Sequence, residues 1–99
     1  MKTVHKHIVP FDQQGLSLSL PTGYRLLKTQ YMPFHKQVCC WVEVPTAPHL
    51  PTNEVQLRLF RSGDGIPQDY TYVDSAIDDT APEAWHLFMQ PRHATSVAA

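Results

Sequence analysis

The sequence predicts a small all-β domain, an antiparallel sandwich or open barrel of six or seven strands with at most one short helical turn. Three observations carry that prediction. Short β-rich runs recur at roughly ten-residue spacing between Pro/Gly turns. Leu16, Leu18 and Leu20 alternate strictly with Ser17 and Ser19, the period of a half-buried strand. Nine prolines in 99 residues are about twice the average share and leave little room for a long helix. No segment shows the ~10–15-residue helical pattern that a βαβ repeat needs.

Taken in order, Val4 to Val9 is β-rich and stops at Pro10. The Leu16–Leu20 alternation follows and turns at Pro21-Thr22-Gly23. Tyr24 to Met32 reads as a strand with Tyr24, Leu26 and Lys28 on one face and Leu27, Thr29 and Tyr31 on the other. Pro33 to Lys36 is a hairpin loop, after which Val38, Cys40, Val42 and Val44 form one apolar face, with Trp41 on the opposite one. The proline-rich stretch from Pro45 to Asn53 is a surface loop. Val55, Leu57 and Leu59 point inward from the next strand, which breaks at Ser62-Gly63-Asp64-Gly65. Asp69 to Asp74 is a strand, and the acidic stretch from Asp74 to Glu83 is a loop or one helical turn. The last strand runs from Ala84 to Met89, with Trp85, Leu87 and Met89 on one face and His86 and Phe88 on the other. The expected core is Leu16, Leu18, Leu20, Leu27, Val42, Val55, Leu57, Leu59 and Leu87. Residues 1–91 form a single β domain and residues 92–99 a flexible C-terminal tail.

Charge and composition narrow the function. Hydrophobic residues make up 42% and the formal charge is −1, which argues against disorder and against a duplex nucleic-acid binder that works through a basic surplus. The start of the chain lacks the apolar run of a signal peptide, and no stretch approaches the ~18 apolar residues of a membrane span. The expectation is no membrane partner. Cys39 and Cys40 are adjacent, so they point to opposite faces of a strand and do not bond to each other; a reducing cytosolic setting follows.

Three groups could carry chemistry. His5 and His7 share a strand face, but no further metal ligand is selected by spacing, so solvent-facing histidines on an edge strand are expected and no metal or cofactor. Cys40 on an apolar face is expected to be an inert small hydrophobe. The run Arg61-Ser62-Gly63-Asp64-Gly65 can place Arg61 on a phosphate, with Gly63 and Gly65 supplying a nest of backbone N–H groups; a plain hairpin turn, with Arg61 neutralising Asp64, is the competing reading. Trp41 is either interface core or a stacking platform, and His86 either a ring contact or solvated. His86 with Asp64 could be an acid–base pair, but no nucleophile or metal set accompanies them, so no enzyme is expected.

The chain also resembles a known family. A first strand holding Lys6 is followed by Leu18-Ser19-Leu20-Pro21-Thr22-Gly23-Tyr24-Arg25-Leu26-Leu27 and a strand with Trp41. Arg58 to Gly65 and a terminal Trp85-His86-Leu87-Phe88 complete the order. This is similar to a widespread family of small tailed-phage proteins formerly of unknown function, which resemble anti-CBASS sponge proteins. Two positions depart from that pattern: Asp64 stands where a neutral residue is usual, and Thr22 where a lysine often stands. The resemblance implies a phage immune-evasion protein in the cytoplasm of the infected bacterial host. It would sequester a cyclic dinucleotide without hydrolysing it, as a homo-oligomer, a dimer or tetramer. Its ligand-binding residues would be Lys6, Trp41, Arg61, Gly63, Gly65 and His86. The alternative is a non-enzymatic phage accessory protein that binds a host protein through the proline-rich loop and edge strands.

Overall fold

The computed structural model describes residues 1–91, so the expected tail at 92–99 lies outside the described residues. The strands are β1 (Lys2–Val9), β2 (Leu16–Pro21), β3 (Arg25–Met32), β4 (Gln37–Pro45), β5 (Thr52–Arg61), β6 (Thr71–Asp78) and β7 (Glu83–Met89). They form two antiparallel sheets. Sheet A has the order β1-β4-β3 and sheet B the order β2-β5-β7-β6. The antiparallel all-β prediction holds, with seven strands, and the sheets stay open rather than closing into a barrel. The body is a slab of 43 × 35 × 17 Å.

Alternation fixes which face is inside. Val38, Cys40, Val42 and Val44 of β4 and Val55, Leu57 and Leu59 of β5 are all buried, and they meet Val9, Leu20, Ala76 and Leu87 in one core. Leu16 and Leu18 pack at its margin, partly buried. Each buried aliphatic side chain contributes about 1.5–3 kcal/mol relative to exposure. Gly15 starts β2 with φ +67°, and a Cβ there would collide with the Leu57 carbonyl, so only glycine fits this entry.

Three expectations need correction. Leu27 is exposed, not core. A β-bulge lies between Leu26 and Lys28, so that Leu26 pairs with Val42 and Lys28 with Trp41. The extra residue shifts the parity of β3, which keeps Leu26 inward before the bulge and lets Thr29 and Tyr31 turn inward after it.

The stretch after Asp74 is not a loop, and no helical turn occurs among the described residues: β6 continues to Asp78. Two of its inward positions, on either side of the buried Ala76, carry carboxylates that interrupt the apolar alternation, and both are satisfied. Asp74 accepts from the Thr29 and Ser75 amides at 2.7 and 2.9 Å. Asp78 accepts from the Thr80 hydroxyl at 2.6 Å and the Thr80 amide at 3.0 Å. The Thr80 hydroxyl, against some opposition from burial and with help from the Thr80 and Ala81 amides, holds the Asp78 carboxyl below its ordinary pKa. The Thr29–Asp74 bond also links the edges of the two sheets, where β3 lies against β6.

The third correction concerns β1. His7 pairs with Cys40 and His5 with Val42, which puts both histidines on the core-facing side of their strand. His5 is exposed, but His7 is half-buried and its Nε2 is enclosed without a partner.

Candidate functional site

The turn after β5 is set by Gly63 at φ +95°, with the Asp64 amide donating to the Arg61 carbonyl at 3.1 Å. A left-handed residue at the third position of a four-residue turn calls for glycine. Asp64 closes the turn from within: its Oδ2 accepts the Arg61 amide at 2.8 Å. Asp64 therefore serves the turn itself, and it takes the Arg61 amide rather than the Gly63 or Gly65 N–H of the expected nest. No atom lies within 4 Å of where a Cβ would stand on Gly63 or Gly65, so the outer side of the turn is open.

Arg61 ends β5 opposite Trp85 of β7. Its guanidinium lies 5.0 Å from the Trp85 ring centroid and makes an ion pair of 3.4 Å with Glu83, not with Asp64. Phe11 also meets Trp85, with centroids 4.4 Å apart and planes inclined at 49°. Phe11 is held there by the loop between β1 and β2, where the Gly15 amide donates to Asp12 Oδ1 at 2.9 Å and Gln56 Nε2 to the Gln14 carbonyl at 2.6 Å. Phe11, Asp12, Arg58, Arg61, Asp64 and Trp85 line a cleft of about 270 Å³. Both of its carboxylates are engaged by backbone amides of their own turns. Arg61 and two aromatic rings are left to meet a ligand, because the Arg58 guanidinium turns to the other face of sheet B.

His86 points to the opposite face of sheet B, since it alternates with Trp85. Its Nε2 is 2.9 Å from Ser62 Oγ and its Nδ1 2.8 Å from Ser75 Oγ, which in turn is 2.9 Å from the Tyr72 hydroxyl. Asp64 is not part of this chain of bonds. The acid–base pair considered from the sequence is therefore not assembled, and hydroxyls occupy both ring nitrogens. Next to His86 the rings of Phe60, Phe88 and Tyr72 pack edge to face, with the Arg58 guanidinium 4.5 Å from the Phe60 centroid.

Lys6 and Trp41 are direct ladder partners on the outward face of sheet A. The structure thus brings Lys6 to Trp41, and Arg61 and Gly63 to one turn, with His86 behind that turn. It does not bring the six residues together within one chain. Of the other candidates, Cys40 is 2% exposed, and burial, with Cys39 beside it, pushes its thiol up to about 11. It holds almost no thiolate at neutral pH. Among the described residues no group of three or more His, Cys, Asp or Glu side chains converges to hold a metal ion.

Across residues 1–97 the chain matches the model of a family described as a domain of unknown function, DUF7352. The chain belongs to this family. No curated protein and no solved structure matches it.

In this DUF7352 domain, sequence reasoning missed Phe11, Arg58 and Lys28. Phe11 gave a signal, an aromatic directly after Pro10 and before an Asp-x-x-Gly turn, but its contact with Trp85 is long-range. Lys28 reaches the Trp41 row only through the bulge. Thr22, the other departure from the phage pattern, is structural. Its amide and hydroxyl both donate to the Pro51 carbonyl, at 2.8 and 3.0 Å. That pins the proline-rich loop of the DUF7352 chain to the β2–β3 turn.

Proposed function

We propose that this protein binds and sequesters a cyclic dinucleotide without hydrolysing it, as the phage sponge proteins it resembles do. The observation that carries the reading is the cleft in which Arg61 lies over Trp85 and Phe11 packs at a tilt against the same ring. A guanidinium beside two aromatic rings suits a phosphate joined to a planar base. The Glu83 partner does not block it, because the ion pair is open to solvent (60% exposed at Arg61, 33% at Glu83) and such pairs are worth about 0–1 kcal/mol. At about 270 Å³ the cleft is smaller than the ~300–1,000 Å³ of sites that enclose a whole ligand. Half of a two-fold symmetric dinucleotide would enter each of two clefts facing each other across a dimer axis. In that arrangement a homo-oligomer is part of the function.

Calorimetric titration with a panel of cyclic di- and trinucleotides tests this. One member of the panel should bind, and be recovered intact after denaturation. Arg61→Ala should weaken binding about ten- to a hundredfold, since a hydrogen bond to a charged group is worth ~1.5–3 kcal/mol, while the Tm of the free protein stays nearly unchanged. Recovery of an altered ligand would reveal an enzyme. Absence of binding across the panel would move the reading to a host-protein partner for the proline-rich loop and edge strands.

A further inference from the structure

The three strands of sheet A carry Lys2, Lys6, Arg25 and Lys28 against a single carboxylate, Glu43. Every other acidic side chain among the described residues belongs to sheet B or to loops outside sheet A. A formal charge of −1 conceals this segregation. Glu43 is shared by Lys2 at 3.3 Å and Arg25 at 3.9 Å. Among the described residues no ion pair involves Lys6 or Lys28.

These two uncompensated cations flank one ring. Lys6 pairs with Trp41 from β1, and Lys28 pairs with Trp41 from β3. Directly opposed residues share a face, so the three form a row across the outward side of the sheet. The lysine backbones lie roughly 10 Å apart, twice the interstrand spacing. Val4 and Ile8, each about half exposed (49% and 51%), border the row on β1. An aromatic ring with an apolar border and a cation on either side matches an unpaired base and its two neighbouring phosphates.

We propose that the outward face of sheet A binds single-stranded nucleic acid, with Trp41 stacking on a base and Lys6 and Lys28 on the flanking phosphates. A duplex does not fit, because its bases are already stacked and an indole on a flat sheet has no ring to meet. A second copy docked by a two-fold axis does not fit either, because it would set the lysine row against its own image. This site is independent of the Arg61–Trp85 cleft, and the two readings can fail separately.

The test uses full-length protein carrying Trp85→Phe, so that Trp41 is the one remaining indole. A short oligodeoxythymidylate titrated at low salt should quench its emission. In the wild-type background, Trp41→Ala should weaken oligonucleotide binding about ten- to a hundredfold, and Trp41→Phe should restore most of it. The double variant Lys6→Gln/Lys28→Gln should flatten the slope of log K against log[salt] by about 1.4, the loss of two phosphate contacts at ~0.7 each. Arg61→Ala should leave oligonucleotide binding as it was. The proposal is overturned by any of four results: no binding at low salt, equal or tighter binding of the matching duplex, an unchanged salt slope in the lysine variant, or self-association that the lysine variant abolishes while the oligonucleotide fails to bind.

Discussion

His7 shows how one side chain ties stability to pH. Its Nε2 is enclosed without a partner, and burial, reinforced by the neighbouring His5, lowers its pKa from the ordinary 6.5. The folded chain therefore prefers neutral His7, and the unfolded chain takes up the proton first as pH falls. Stability from this residue is fully present above about pH 6.5 and declines as pH drops toward the folded value. Urea midpoints at pH 7.5 and 5.5 should show a larger acid loss for the wild-type protein than for His7→Gln. An equal loss in both would mean that His7 is solvated in the folded state. The ring spacing of 6.3 Å between His5 and His7 makes the comparison clean only if His5 is kept in both proteins.

At the scale of elements, the join between β3 and β6 is the informative one. Asp74 holds the Thr29 amide across the gap between the sheets, and Thr29 is 5% exposed. Asp74→Ala leaves that donor without a partner and should cost about 1–3 kcal/mol, with Tm falling roughly 4–8 °C for each kcal/mol. Asp74→Asn keeps an acceptor oxygen and should lose less; thermal unfolding followed by circular dichroism separates the two. This same element marks the limit of what the sequence discloses. Strands with an unbroken run of apolar inward residues, such as β4 and the middle of β5, are legible from alternation alone. The first half of β6 is legible too, but its continuation to Asp78 is not, because Asp74 and Asp78 occupy inward positions and their partners are known only once the chain has folded. Leu27 failed for a related reason: a single inserted residue reverses parity without leaving a composition signal. At the candidate cleft, the glycine turn and Arg61 were readable locally. Phe11 and Glu83 were not, since each meets its partner only through the tertiary fold.

For the whole molecule, connectivity sets the pace of folding. Only the β3–β4 and β6–β7 ladders join neighbours in the chain; the β1–β4, β2–β5 and β5–β7 ladders join distant segments. Closing such loops before their contacts form is slow, so refolding should fall in the millisecond-to-second range of sandwich domains. Stopped-flow tryptophan fluorescence would show this, and a complete sub-millisecond reaction would contradict it. The segregation of charge has a consequence of another kind. Sheet A carries four cations against one carboxylate, while the other described carboxylates lie on sheet B or in loops outside sheet A, so a nearly neutral protein presents faces of unlike charge. Approaching any charged surface, it is turned before it touches, within the ~8 Å reach of unscreened fields at physiological salt. Which face arrives first is thus decided by the sign of the surface, and a cation exchanger and an anion exchanger would each hold the same molecule by opposite sides.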